Sequence, residues 1–137
     1  MSIKVAIVGV GNCASALYQG FTYYRNTEVE GLMRNDIGGY KVTDIKVVAA
    51  FDVDHRKVGL HMCDAILQKP NCTPLRVPSE DLTKGPVVQM GKVLDGVAPH
   101  MEMVHENEGF VVSTEPCVDV VQVLKDSQAD ILINYLP

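Results

Sequence analysis

The N-terminal segment carries the pattern that most restricts the fold: an aliphatic run, a glycine-rich turn and a helical repeat of apolar residues. Residues 3–8 are nearly all aliphatic and rich in β-branched side chains, which is typical of a strand buried on both faces of a parallel sheet. Residues 9–11 (GVG) interrupt this run, and apolar side chains then recur at helical spacing, at Ala14, Leu17, Phe21 and Tyr24. The chain is therefore expected to open with a strand, a turn and a helix.

A second strand and helix are predicted in the middle of the chain. Residues 45–51 (IKVVAAF) have the composition of a buried strand, and Asp52 stands at its end. Asp54 is placed to cap the helix that follows. The apolar face of that helix is predicted to consist of Val58, Met62, Ala65 and Ile66.

The C-terminal half repeats the alternation after an irregular stretch. Residues 75–109 contain several prolines and glycines and predict short strands and loops. Residues 114–116 (TEP) predict a helix start, and residues 131–136 (ILINYL) predict a last buried strand. The apolar face of this helix is predicted to consist of Cys117, Val120, Val121 and Leu124. Strands that alternate with helices predict an α/β fold with a doubly wound, mainly parallel sheet of Rossmann type.

Residues 22–44 are an exception to this compact pattern. Helix and strand in such units are usually joined by a few residues, whereas this segment is long and holds three glycines among mixed charges. It is interpreted as an inserted excursion, and a subunit contact, a lid and a plain surface loop are all open.

Composition indicates one ordinary domain and excludes several classes of protein. The 137 residues are 47% hydrophobic and 21% charged, with a formal net charge of −5, which argues against a nucleic-acid partner. Polar residues and glycines break the N-terminal apolar run, so no membrane or secretory segment is predicted. The four cysteines form no C-x-x-C pair, so they are interpreted as reduced thiols in a cytoplasmic protein.

The glycine-rich turn matches the dinucleotide-binding fingerprint G-x-G-x-x-A at Gly9, Gly11 and Ala14. In that motif the first glycine permits a tight turn, the second lets a pyrophosphate approach the backbone, and the small third residue lets helix and strand pack closely. The helix N-terminus then offers free N–H groups and the positive end of its dipole to the phosphates. Since the match lies between a predicted strand and helix, it favours nucleotide binding over a turn without a ligand.

Asp52 is the candidate acceptor for the ribose hydroxyls of adenosine. A carboxylate at the end of the second strand would also repel a 2′-phosphate, which favours NAD over NADP. Asp52 lies further from the glycines than the usual spacing of about 20 residues, because the excursion intervenes. Arg56 and Lys57 lie close by in sequence and are possible partners for a 2′-phosphate.

Two further groups of residues are considered as ligand or metal sites. They are the end of the last strand and a short cluster of His and Glu residues. Ligands of doubly wound sheets bind beyond the carboxyl ends of the strands, so residues 134–137, including Asn134 and Leu136, are expected near the cofactor. A contact of Asn134 with a neighbouring loop is equally open. A metal site is not predicted, because no closed ligand set is evident in the cluster of His100, Glu102, His105 and Glu106.

Together these motifs resemble the bacterial and archaeal myo-inositol-1-phosphate synthases. The resemblance covers nearly the whole chain and is weakest over residues 68–93. It is carried by residues 5–17 (VAIVGVGNCASAL), 31–33 (GLM), 47–54 (VVAAFDVD), 57–60 (KVGL), 94–96 (LDG) and the closing segment 118–137.

The resemblance implies conversion of D-glucose 6-phosphate to 1-myo-inositol phosphate by oxidation at C5, aldol closure and reduction, with NAD as cofactor and no net redox change. It implies that Asp52 binds the adenosine ribose and that Asn134 and Leu136 lie beside the dinucleotide. A homotetramer is implied as well. The loop that would hold the pyrophosphate consists of Gly9, Val10, Gly11, Asn12, Cys13 and Ala14.

Family members are much longer, and their catalytic lysines lie beyond the segment that matches this chain. The catalytic residues are therefore unassigned. Residues 1–137 are interpreted as the N-terminal portion of an NAD-binding Rossmann domain with an incomplete sheet, the catalytic and tetramerisation domain lying outside the chain. Two alternatives stay open: a stand-alone NAD-binding module without catalysis, and an NAD-dependent oxidoreductase of homoserine- or sugar-dehydrogenase type.

Overall fold

The computed structural model describes residues 1–25 and 30–136, with the side chain of Glu102 left out. Its strands are β1 (Ile3–Val8), β2 (Ile45–Asp52), β3 (Val88–Met90) and β4 (Ile131–Asn134). Its α-helices are α1 (Asn12–Tyr23), α2 (Met62–Ala65) and α3 (Val120–Ser127). Short 3₁₀ turns span Val42–Asp44, Ser79–Asp81 and Pro99–Met103.

The four strands form one parallel sheet in the order β3-β2-β1-β4. From β1 the chain first builds outward through β2 and β3, and then returns to place β4 on the other side of β1. This reversal creates a topological switch point between β1 and β4, which is where ligands of doubly wound sheets bind. The predicted fold class, a doubly wound parallel sheet of Rossmann type, is confirmed.

Helices cover both faces of the sheet. Successive strand residues point to opposite faces, so Val5 and Ile7 face one side while Ala6 faces the other. The larger core, beneath α1 and α2, contains Val5, Ile7, Val10, Ala14, Tyr18, Ala50, Met62, Ala65, Ile66, Val77, Leu82 and Val88. The smaller core, beneath α3, contains Ala6, Ala49 and Phe51, with Val118, Val120, Val123 and Leu124 packed against it. The glycine turn is thus held between packed elements.

The third helix begins later than its sequence predicts. The expected start at residues 114–116 is wrong, because the carboxylate of Asp119 accepts the N–H of Gln122 at 3.0 Å and caps α3 there. The predicted apolar face is partly wrong too, since Cys117 is exposed and Val121 is 61% exposed.

The last strand is an edge strand within the described part of the chain, where it pairs with β1. The prediction that it is buried is wrong: Ile131 is 48% exposed and Leu132 is 49% exposed. An aliphatic run of this kind is typical of a buried strand, but burial also requires a neighbour on each side. The incompleteness of the sheet stays a prediction.

The described part of the excursion is largely exposed. An antiparallel bridge joins Ile37 and Tyr40 there, and Met33 extends fully into solvent. Residues 26–29, which also belong to the predicted excursion, lie outside the described residues. Its role as subunit contact, lid or surface loop stays open. Within residues 1–25 and 30–136, no helix is both long and apolar enough to cross a membrane.

Candidate dinucleotide-binding site

Gly9 lies where the ends of three strands meet. Its φ is +89°, a conformation that other residues rarely adopt, and its N–H donates to the carbonyl of Phe51 at 2.9 Å. A Cβ at this position would lie 3.4 Å from both Leu136 Cδ2 and the carbonyl carbon of Tyr135. The fold itself therefore requires glycine here, which is the tight-turn role that the fingerprint predicts.

Gly11 is not required by any contact of the described structure. It is the N-cap of α1 with a φ of −92°, and a Cβ added to it would meet nothing within 4 Å. No side chain in the described part of the chain caps α1, and its first turn carries no acidic residue. The space in front of this helix N-terminus is thus open and positively polarised, which suits an anionic ligand. Ala14, fully buried one turn along, lets helix and strand pack closely.

Both the backbone N–H and the carbonyl of Val10, which lies between the two glycines, are hydrogen-bonded to side chains. Its N–H donates to Asp52 Oδ2 at 2.7 Å. Its carbonyl oxygen accepts from Lys57 Nζ at 2.8 Å and from Asn71 Nδ2 at 3.2 Å. The glycine turn is therefore fixed by three side chains before any ligand binds.

Asp52 lies beside the glycine turn, as the sequence predicts for a ribose acceptor. Its Oδ1 accepts the N–H groups of Val53 at 2.7 Å and Asp54 at 2.9 Å, while Oδ2 accepts the N–H of Val10. A carboxylate has about four acceptor positions, and the side chain is only partly buried. Asp52 can thus accept a further hydrogen bond from a ligand while its rotamer stays fixed.

Asn12 contacts a loop that is distant in sequence. Its Oδ1 accepts the backbone N–H of Cys72 at 2.8 Å and of Thr73 at 3.1 Å. The Thr73 hydroxyl also lies 2.9 Å from this oxygen. The loop at residues 71–73 is therefore a second wall beside the glycine turn. No local signal in the sequence links residues 71–73 to Asn12.

Cys13 follows Asn12 in the first turn of α1 and is exposed. Of the loop residues that the resemblance assigns to the pyrophosphate, Asn12 and Cys13 are the ones that face outward, whereas Val10 and Ala14 are buried. Side-chain contact with a ligand is thus open to the two exposed residues, while Val10 contributes through its backbone.

The carboxyl end of β4 lies next to Gly9, as the topology predicts. The N–H of Tyr135 donates to the carbonyl of Val8 at 2.8 Å, which continues the pairing beyond the strand. Asn134 is exposed, and its Oδ1 accepts the N–H of Leu136 at 2.9 Å. This local contact does not test its predicted place beside the cofactor. Pro137 lies outside the described residues.

Asp54, which is buried, forms an ion pair with the partly buried Arg56 behind the site. Asp54 is 1% exposed, and Arg56 donates to its Oδ1 through Nε at 2.9 Å and to its Oδ2 through a terminal nitrogen at 2.6 Å. The guanidinium also donates to the carbonyls of Glu106 and Gly109. The prediction that Asp54 caps the next helix is wrong, because α2 begins at Met62 with His61 as N-cap. Asp54 instead anchors Arg56 and the loop that precedes Val111.

This ion pair has a consequence for acid stability. Burial alone raises the pKa of Asp54, but the hydrogen bonds and charge of Arg56 outweigh it and hold the pKa below 3.8. The contribution of the pair is therefore complete above about pH 4 and is lost as the pH falls through the lower pKa of the folded state. Denaturant titrations between neutral pH and about pH 2 should show a decline in stability that is shallower in Asp54→Asn. An identical acid slope in both proteins would contradict this role.

Candidate metal ligands can be compared only among the residues whose side chains are described. Those residues contain no group of three or more His, Cys, Asp or Glu side chains arranged to hold an ion. Glu102, one member of the sequence cluster, is outside that set.

Sequence comparison relates the chain to named relatives. It is 48% identical to inositol-3-phosphate synthase from Mycolicibacterium smegmatis, over 98% of this chain and 36% of that protein. It is 46% identical to the protein of the same name from Corynebacterium glutamicum, over 99% of this chain and 37% of that protein. Over nearly its whole length the chain matches the inositol-3-phosphate synthase family. The matching segment is the N-terminal part of those synthases, so this chain spans little more than a third of their length.

Solved structures agree with the fold of the chain. The crystal structure of Ari2 superimposes with a TM-score of 0.68 and 32% identity, over all of this chain and 38% of Ari2. A myo-inositol-1-phosphate synthase-related protein from Thermotoga maritima gives a TM-score of 0.67 at 22% identity, over 99% of this chain and 35% of its own, which supports the fold alone. No protein-family model matches the chain.

Proposed function

We propose that this chain supplies the NAD site of an inositol-3-phosphate synthase, which converts D-glucose 6-phosphate to 1-myo-inositol phosphate. The observation that carries the proposal is the 48% identity to a protein of that name across nearly the whole chain. The chemistry that NAD supplies when bound is reversible hydride transfer, with no net oxidation of the sugar phosphate. A homotetramer is proposed on the same resemblance.

The described residues fit a dinucleotide at the glycine turn. The open space beside Gly11 lies at the N-terminus of α1, where backbone N–H groups and the helix dipole favour the two phosphates. Asp52, at the end of β2 and hydrogen-bonded to Val10, is at the place where such folds bind the adenosine ribose. The strand end at Tyr135 and Leu136, against Gly9, borders the same switch point.

The structure supports NAD over NADP more strongly than the sequence does. Recognition of a 2′-phosphate requires an available cation near the ribose acid. Arg56 donates to Asp54 and to two backbone carbonyls, and Lys57 is only 3% exposed beneath the turn. Both cations that lie near Asp52 in the sequence are thus already engaged, whereas the partly exposed carboxylate of Asp52 would repel a 2′-phosphate.

Asp52→Ala should weaken NAD binding by about 10- to 100-fold, because a hydrogen bond to a charged group contributes about 1.5–3 kcal/mol. It should weaken NADP binding less, since the repulsion of the 2′-phosphate is removed together with the acceptor. Calorimetric titration with both dinucleotides measures the two affinities. Asp81→Ala removes an exposed carboxylate in the 3₁₀ turn Ser79–Asp81 and serves as the charge-matched control. Equal NAD affinities in all three proteins would refute the role of Asp52.

The proposed activity is tested by incubating the purified protein, together with the catalytic domain that the resemblance places beyond residue 137, with glucose 6-phosphate and NAD. The synthase produces inositol phosphate without accumulating NADH. A dehydrogenase of the homoserine or sugar type would accumulate NADH, and a binding module would bind NAD without forming either product. The proposal is refuted if no inositol phosphate forms.

A further inference from the structure

Lys57 is a buried cation directly beneath the glycine turn. It is 3% exposed, and its Nζ donates to the Val10 carbonyl at 2.8 Å and to Asn71 Oδ1 at 2.9 Å. Burial lowers the pKa of Lys57, whereas the negative charges of Asp52 and Asp54 raise it. Burying an ammonium group without partners is energetically costly. The hydrogen-bond acceptors and the nearby carboxylates offset that cost for Lys57.

The position of Lys57 sets the direction of the next N–H. The peptide bond between Val10 and Gly11 is trans, so its C=O and N–H point in opposite directions. Lys57 and Asn71 hold the Val10 carbonyl toward the protein interior. The N–H of Gly11 is therefore turned away from the interior, on the residue whose missing Cβ leaves the space open.

Lys57 also balances the charge of Asp52. Asp52 contacts the N–H of Val10, and Lys57 contacts the carbonyl of the same residue. An incoming pyrophosphate at the turn would be repelled by Asp52 and attracted by the ammonium, and in a partly buried site such interactions are weakly screened. Arg56 does not provide this balance, because it is paired with Asp54.

We propose that Lys57 is a positioning residue for the pyrophosphate of the dinucleotide: it fixes the Val10–Gly11 peptide with its N–H toward the phosphates and offsets the charge of Asp52. Asn71 supports it by accepting from Nζ and by donating to the same carbonyl. This inference rests on the proposed function, since its ligand is NAD. It predicts that replacing Lys57 weakens the binding of the phosphate groups and changes the affinity for adenosine little.

The test compares ligands with and without the pyrophosphate. NAD, ADP and adenosine are titrated by NMR against the wild-type protein, Lys57→Met and Lys57→Gln. The Met variant should bind NAD and ADP about tenfold more weakly, while adenosine affinity changes by less than about twofold. The Gln variant keeps a donor without the charge and should give an intermediate loss. Lys46→Met removes an exposed lysine of β2 and should leave all three affinities unchanged.

The outcomes separate this inference from the proposed function. If the wild-type protein binds NAD and ADP, but adenosine weakens as much as ADP in both variants, Lys57 has a merely structural role and the inference is wrong. Unchanged affinities in both variants lead to the same conclusion. If the wild-type protein binds no dinucleotide, the proposed function fails and the inference fails with it. Should Lys57→Met not fold, the ratio of ADP to adenosine affinity in Lys57→Gln decides.

Discussion

Replacing Gly11 with valine should lower NAD affinity by about 100-fold or more while the protein stays folded. The φ of −92° is accessible to valine, and the first side-chain atom would meet nothing within 4 Å. The larger side chain would instead occupy the space where the pyrophosphate is expected. Its cost to the fold is limited to a poorer N-cap, about 1 kcal/mol. Titration calorimetry and a denaturation curve measure the two effects separately.

Gly9→Ala is the matched comparison for this variant, since it changes the other glycine of the turn. Its φ of +89° makes a Cβ unfavourable without any ligand, whereas the 3.4 Å distances to Leu136 and Tyr135 are ordinary van der Waals contacts. It should lose about 1–2 kcal/mol of stability, mainly from backbone strain. The account would be contradicted if Gly11→Val bound NAD like the wild-type protein, because the open space would then have no role in binding.

Arg56→Met should reduce the free energy of unfolding by about 3–5 kcal/mol. This is the largest stability loss expected among the substitutions at the site. The substitution leaves the carboxylate of Asp54, which is 1% exposed, without its cation. It also removes the donors to the carbonyls of Glu106 and Gly109. Denaturant unfolding measures the loss directly.

Two further proteins make this prediction specific. Arg34→Met removes an exposed arginine and should change stability by less than about 0.5 kcal/mol. Asp54→Asn combined with Arg56→Met should recover part of the loss, because the unpaired buried charge is gone. A loss of less than about 1 kcal/mol in Arg56→Met alone would show that the pair is not important for stability.

Features encoded in short stretches of sequence could be predicted. β1 spans Ile3–Val8, the run identified from its aliphatic composition, and β2 ends at Asp52 as expected. The conformational need for glycine at position 9 follows from the strand-turn-helix pattern alone. Such features depend on neighbours in the chain, whose identities the sequence states directly.

Features that depend on distant partners could not be predicted. Lys57 and Asn71 meet Val10 across separations of 47 and 61 residues, and no local pattern marks either of them as part of the turn. The sequence predicts Asp54 as a helix cap because it does not reveal that the Arg56 side chain donates hydrogen bonds to the Asp54 carboxylate. The exposure of β4 was missed for a similar reason, since composition indicates a strand but not its neighbours.

A crystal structure of the protein with NAD tests the central claim most directly. The account predicts the pyrophosphate at the N-terminus of α1, within about 3.2 Å of the Gly11 N–H, and the adenosine ribose hydroxyls on the carboxylate of Asp52. NAD bound elsewhere, or a ribose with no contact to Asp52, would contradict it.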